Sequence, residues 1–166
     1  MSDQKKVMVV YGNPKQGGFV HGCLDLLSNT LESAGEQVQR VHLADLHMEH
    51  CKGCFHCLQT GACEKDDDMA DIISAMRAAD GFITGASVRN GYFPALFKQC
   101  MERTCYHLAF TLDLMGKPVL GIGAVGMASG KRALRNVLTL KGYHLHTSKY
   151  LFFRTGIPTR LSPEDA

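Results

Sequence analysis

Four of the seven cysteines in this 166-residue chain fall close together: Cys51, Cys54, Cys57 and Cys63, spaced C-x2-C-x2-C-x5-C. The other three, Cys23, Cys100 and Cys105, are scattered through apolar stretches that read as helix. Three thiols at successive i, i+3 steps, with a fourth one short loop later, can converge on a single point. Converging thiolates suit a cubane iron–sulfur cluster, in which each iron takes one cysteine.

The first three cysteines resemble the run C-x2-C-x2-C of ferredoxins. The fourth differs, because it lies five residues on and no proline follows it. Zinc is the rival metal. Zinc sites are usually built from two ligand pairs a dozen or more residues apart, which one crowded run does not supply. His47, His50 and His56 lie nearby and keep a mixed Cys/His zinc site open. Free thiols or disulfides are the reading without a metal. Nothing in the sequence indicates secretion, and disulfides are rare in the cytosol.

Composition sets the frame for that segment. The length is that of one domain, long enough to bury a core. Hydrophobic content of 45%, charged content of 20% and a formal charge of +2 are ordinary for a globular protein. The charge is unclustered, so no nucleic-acid or membrane footprint is read. The start, Met1–Lys6, leads into a short apolar run rather than a signal peptide. No apolar run reaches the roughly 20 residues that a membrane helix needs. The expectation is a single cytoplasmic domain over residues 1–166, with the cysteine-rich segment 47–68 inserted.

The elements that position the cysteines follow from periodicity. Lys5–Tyr11 is a continuous apolar run, as a central strand requires. Gly12–Gly18 breaks it. A helix is predicted from Val20 to about Ala34, with Leu24, Leu27 and Leu31 on one face and Gly35 at its end. Val38–Leu43 alternates as the second strand. Asp66, Asp67 and Asp68 open a helix whose stripe is Met69, Ile72, Ile73 and Met76, with the acids facing the positive end of its dipole. A strand over Gly81–Ala86, a helix from Phe93 to about His107, a strand over Lys117–Gly123, a helix from Lys131 to about Lys141 and a strand over Leu145–Phe153 complete the chain. Strands alternating with helices predict a doubly wound α/β fold with a parallel sheet.

Ligands of such sheets sit beyond the carboxyl ends of the strands. Three loops answer to that position: Gly12–Gly18, Ser87–Tyr92 and Ala124–Gly130. The first, with Gly12, Asn13, Lys15, Gly17 and Gly18, has the chemistry of a phosphate cradle at a helix N-terminus. It is neither a dinucleotide fingerprint nor a P-loop. Ser87, Val88, Arg89, Asn90, Gly91 and Tyr92 form the second loop, which suits a flat heterocycle with hydrogen-bonding edges. In the third, Gly123, Gly126 and Gly130 allow close approach of the backbone to a ligand.

Together these residues resemble the flavodoxin-like NAD(P)H-dependent FMN reductases, and within them the iron–sulfur flavoproteins. The resemblance rests on Gly12-Asn13-Pro14-Lys15-Gln16-Gly17-Gly18. It rests equally on Cys51-x-Gly53-Cys54-x2-Cys57-x3-Gly61-x-Cys63 followed by Asp67-Asp68-Met69, and on Ala79-Asp80-Gly81-Phe82-Ile83-Thr84-Gly85-Ala86. It implies a five-stranded sheet of order 2-1-3-4-5, FMN at the carboxyl edge and a [4Fe-4S] cluster on Cys51, Cys54, Cys57 and Cys63. Departures are visible. Phe19 and Val20 stand where the family places hydroxyl side chains, and Arg89 stands where it usually has an aromatic. The phosphate then relies on backbone N–H groups, Asn13 and Lys15. Ser162-Pro163-Glu164-Asp165 reads as a helix start at which the chain stops, so the last covering helix is expected to be missing.

The function expected on these grounds is an FMN-dependent redox protein passing electrons between a flavin and a [4Fe-4S] cluster. One alternative is an NAD(P)H-dependent FMN or quinone reductase without a cluster. Another is a flavin-free metal-binding or interaction module. The expected partners are NAD(P)H or a protein electron donor or acceptor. A homo-oligomer, at least a dimer, is expected because an uncovered sheet face around Tyr150–Phe153 would seek a partner.

Overall fold

The run Val7–Tyr11 reaches its goal by facing two cores at once. Met8 and Val10 pack into one, and Val9 and Tyr11 into the other. The computed structural model describes residues 4–89, 91–108, 112–125 and 148–154. Five strands pair in the order β2-β1-β3-β4-β5, every neighbour parallel: β1 Lys6–Tyr11, β2 Gln37–His42, β3 Gly81–Ser87, β4 Val119–Val125 and β5 Ser148–Arg154. That is the flavodoxin-like order that the resemblance implied.

Helix α1, Phe19–Ser33, covers one face, where Val20 and Leu24 meet Val9, Tyr11, Ile83 and Ile122. It ends with Gly35 N–H bonded to Glu32 O and Glu36 N–H to Leu31 O, both at 3.0 Å, the paired bonds of a Schellman close. A short helix α2, His56–Thr60, lies inside the cysteine segment. Helices α3, Met69–Ala78, and α4, Ala95–Leu108, cover the other face through Met69, Ile72, Ile73, Met76, Phe97 and Leu108. The Lys117 ammonium bonds Arg77 O at 2.6 Å and so caps the carboxyl end of α3.

Boundaries differ from the sequence reading where proline intervenes. α4 begins at Ala95 rather than Phe93, since the residue before Pro94 is steered away from helical backbone. β4 begins at Val119 rather than Lys117, since Pro118 has no N–H for the ladder, and it runs on to Val125. Gly123 is therefore a buried strand residue paired with Ala86, not a loop residue. The expected helix from Lys131, together with Asn90, Gly126, Gly130 and Ser162–Asp165, lies outside the described residues. Among the described residues, no helix is long and apolar enough to cross a membrane.

Candidate functional site

Parallel pairing gathers the carboxyl ends of β1, β2, β3 and β4 at one sheet edge. At the end of β1, Gly12 N–H bonds Gly85 O at 2.8 Å. A Cβ on Gly12 would lie 2.4 Å from the Phe97 ring of α4, so only glycine lets α4 pack this close. Asn13 closes the first loop onto the second. Its side-chain oxygen accepts from the Ser87 N–H at 2.9 Å and the Ser87 hydroxyl at 2.8 Å. That oxygen is committed to holding the loops together. Lys15 and Gly17 are exposed on the rim.

Gly18 takes φ 83° and ψ 176°, a region essentially confined to glycine, and hands the chain directly into α1. Among the described residues no side chain caps that helix start and its first turn holds no acid, so the first N–H groups of α1, which have no acceptor within the helix, face the loop. Val20, in the family's hydroxyl position, is buried in the core against the sheet. Phe19 is half-exposed and meets Phe153 edge-on, with ring centroids 4.9 Å apart.

The second loop is a tight hairpin. Arg89 N–H bonds Tyr92 O at 2.7 Å and Tyr92 N–H bonds Arg89 O at 3.0 Å across the Asn-Gly pair, with Gly91 at φ 82°. Val88 N–H bonds Ala124 O at 2.8 Å and fixes this hairpin to β4. Tyr92, which closes the hairpin opposite Arg89, is 77% exposed.

The cysteine segment leaves the same edge after β2. Gln16 of the first loop bonds Asp45 at 3.3 Å, at the single 3-10 turn Leu43–Asp45 where that segment starts. All four thiols, Cys51, Cys54, Cys57 and Cys63, line one small cavity of about 20 Å³ with Lys52, Phe55 and, from α4, Arg103 and His107. The wall Lys52–Phe55 of this cavity is exposed. Gly53 N–H points at Cys51 Sγ at 3.4 Å. Phe55 sits at φ 58°, an uncommon backbone for a bulky residue, held at the turn between the second and third thiols.

The neck of this segment is tied. Asp68 accepts from the His47 N–H at 2.7 Å, Asp67 from the Glu49 N–H at 2.8 Å, and Lys65 bonds Glu49 at 2.6 Å. Gln99 of α4 donates to Met48 O at 2.5 Å. At the centre is a buried ion pair between Arg103 and Asp67, whose side chains are 2% and 0% exposed. Arg103 also donates to Glu49 O at 2.8 Å and to Cys63 Sγ at 3.5 Å.

Electrostatics follow from this packing. Burial alone would raise the Asp67 carboxyl, but Arg103 and the N–H groups of Glu49 and Met69 outweigh it and hold the carboxyl below its usual range. Burial likewise opposes the charge on Arg103, and Asp67 overcomes it. Burial raises the Cys57 thiol, and crowding by Cys63, Cys51 and Cys54 adds to this. His107 is lowered, first by burial and then by Arg77 and Arg103, so its imidazole is neutral.

The chemistry of this donor set suits a thiophilic metal. Thiolates that repel one another are relieved by a cationic core, and Arg103 and the Gly53 N–H supply donors to sulfur. Among the described residues, no three of His, Cys, Asp and Glu are spaced to hold one ion. A cubane takes each thiolate on a different iron, so its ligands stand wider apart than those of one ion. At the other loops, the uncapped start of α1 is a donor set that fits one phosphate.

Sequence reasoning missed Arg103, His107 and the task of Asp67. Gln99, Arg103 and His107 recur at i, i+4 and i+8 of α4, a polar row on a face that packs inward. That row was the available signal. Asp67 was read only as a dipole partner of α3; it is the anchor of the cysteine segment.

Comparison with known proteins agrees with these features. The family model for NADPH-dependent FMN reductase matches residues 5–152. An iron–sulfur flavoprotein of Methanosarcina thermophila is 30% identical over 142 residues, 84% of this chain and 71% of that protein. Another, of Methanocaldococcus jannaschii, is 31% identical over 99 residues, 60% of this chain and 51% of that one, so here the match spans about half of the relative. The NAD(P)H:quinone oxidoreductase of Methanothermobacter marburgensis superposes with a TM-score of 0.76 at 14% identity, over 95% of this chain and 90% of that one, a likeness of fold. With most of its length matched, the chain belongs to the NADPH-dependent FMN reductase family of flavin-dependent oxidoreductases, with iron–sulfur flavoproteins among its relatives.

Proposed function

We propose that this chain binds FMN at Gly12–Gly18, Ser87–Tyr92 and Ala124–Gly130, holds a [4Fe-4S] cluster on Cys51, Cys54, Cys57 and Cys63, and passes electrons between them. The observation that carries this reading is the single cavity lined by four thiols at the sheet edge that also bears the glycine loops. Family membership supplies the flavin chemistry and the names of the relatives support the cluster. When bound, the flavin takes two electrons and the cluster one at a time, so the pair interconverts the two kinds of transfer.

The residues of the chain do the placing. The first N–H groups of α1 and the Lys15 ammonium hold the phosphate. Asn13 keeps the first and second loops in register through Ser87. Arg89 and Tyr92, at the two ends of the hairpin, are the side chains that would contact the ring system. α4 starts beside the flavin loops and passes under the thiols, with Arg103 about 12 Å along its axis from Ala95. NAD(P)H or a protein is the electron partner in this reading.

Anaerobic reconstitution with iron and sulfide tests it. The wild type is expected to hold about four irons and four sulfides per chain, and Cys54→Ala to hold fewer. FMN is expected to bind the apoprotein more tightly than FAD, and Lys15→Ala to weaken FMN more than riboflavin. One zinc per chain and no iron would overturn the cluster. Flavin without iron would leave an NAD(P)H-dependent FMN or quinone reductase, and no flavin at all would leave a metal-binding module.

A further inference from the structure

We propose that Arg103, held by Asp67, sets the reduction potential of the thiolate centre and is the positioning residue of its fourth ligand, Cys63. This rests on the iron–sulfur reading above. Three observations carry it. First, Arg103 is the cation that reaches a thiol: its guanidinium donates to Cys63 Sγ at 3.5 Å from a side chain 2% exposed. Second, the remaining donors of its two terminal nitrogens go to the neck of the segment, to Glu49 O and both carboxylate oxygens of Asp67. The fork is therefore fixed in direction, and a planar guanidinium held on a carboxylate cannot swing away from the sulfur without breaking the pair. Third, Asp67 is itself gripped by the Glu49 and Met69 N–H groups at 2.8 and 3.2 Å, so the pair is part of the backbone frame rather than a surface contact.

The physical consequence has a sign. Each electron accepted at the centre adds one negative charge. A buried cation and an N–H donor on a ligand sulfur stabilise that charge, and a nearby carboxylate opposes it. Arg103 therefore raises the potential and Asp67 moderates it. Around the cavity, Lys52 and Lys65 add positive charge while Glu64 and Glu102 add negative charge. Glu64 accepts from the Cys54 thiol at 3.9 Å but, like Lys52 and Glu102, is exposed, where water screens it, and Lys65 is paired with Glu49, so the buried pair is the least screened.

The test is the midpoint potential of the centre in the reconstituted full chain, read by a redox titration followed by electron paramagnetic resonance. Arg103→Gln is expected to shift the potential negative and Asp67→Asn to shift it positive, both with iron bound. Arg103→Lys keeps the charge and is expected to stay between wild type and Arg103→Gln. The double variant Asp67→Asn/Arg103→Gln removes the pair without leaving a lone buried charge. It loses the N–H···S bond, and a negative shift is expected. A merely structural role would loosen the segment in every variant, lowering iron content or moving all potentials the same way. Shifts of the same sign in the two single variants, or a double variant with full iron at the wild-type potential, would overturn the proposal and leave the cluster reading intact. A wild type that takes up no iron would overturn both.

Discussion

At the scale of single residues, the site is a contrast between side chains whose spacing announces them and side chains whose surroundings do. The buried pair illustrates the second kind. Arg103→Met leaves the buried Asp67 carboxylate without its counter-ion, and is expected to cost about 3–5 kcal/mol in urea unfolding of the protein as isolated. Asp67 also has a pH signature. Its carboxyl is held low in the folded state, so its contribution is present above its ordinary value and lost as pH falls through the folded one. Asp67→Asn is expected to flatten that acid limb in unfolding curves. Cys100 acts at the other end of the scale. Its buried thiol is pushed up to about 12, so the unfolded chain releases a proton from about pH 9 upward that the folded chain keeps. Stability is expected to fall by about 1.4 kcal/mol per pH unit across that window, and Cys100→Ala to remove the slope. The cysteines were legible because metal ligands must recur at short intervals. Arg103 was not, because a charged residue at an inward helix position looks like a solvated one until its partner, 36 positions earlier, is known.

At the scale of elements, periodicity carried most of the information. β1 and β3 are buried on both sides and read as unbroken apolar runs. α1 and α3 read as stripes. What escaped has a local cause. α2 is five residues long, too short to show a period, and begins at the left-handed Phe55. The Arg89–Tyr92 hairpin hides in a segment that reads only as a polar loop. Proline moved the starts of α4 and β4 by the loss of one N–H and one steric clash. The glycine loops make separable predictions. Gly12→Ala drives a methyl into the Phe97 ring and is expected to lower stability, measured by thermal unfolding, along with any flavin binding. Gly18→Ala meets no neighbour within 4 Å, so its cost is backbone strain alone, about 1–3 kcal/mol. Equal thermal losses with unchanged FMN affinity in both would contradict the assignment of this loop.

At the scale of the molecule, the parallel order β2-β1-β3-β4-β5 does the essential work by placing the glycine loops and the cysteine segment on one edge, with α4 as their shared support. A parallel sheet follows from alternating strands and helices and was legible for that reason, whereas the strand order came from the resemblance of the motifs to the flavodoxin-like reductases. Tyr150 and Leu151 of β5 remain 45% and 49% exposed among the described residues. A homo-oligomer that uses this apolar strand is our proposal for its cover. Sedimentation at micromolar concentration is expected to give at least a dimer, and a monomer of 18.2 kDa would contradict it. The central claim is that one chain carries both a flavin and a thiolate-bound cluster. Its most direct test is the visible spectrum of protein purified without oxygen, with iron and FMN quantified on the same sample. Flavin bands on a broad shoulder near about 400 nm, with about four irons for each FMN, are the predicted result. A colourless protein, or flavin bands with no iron, would contradict it.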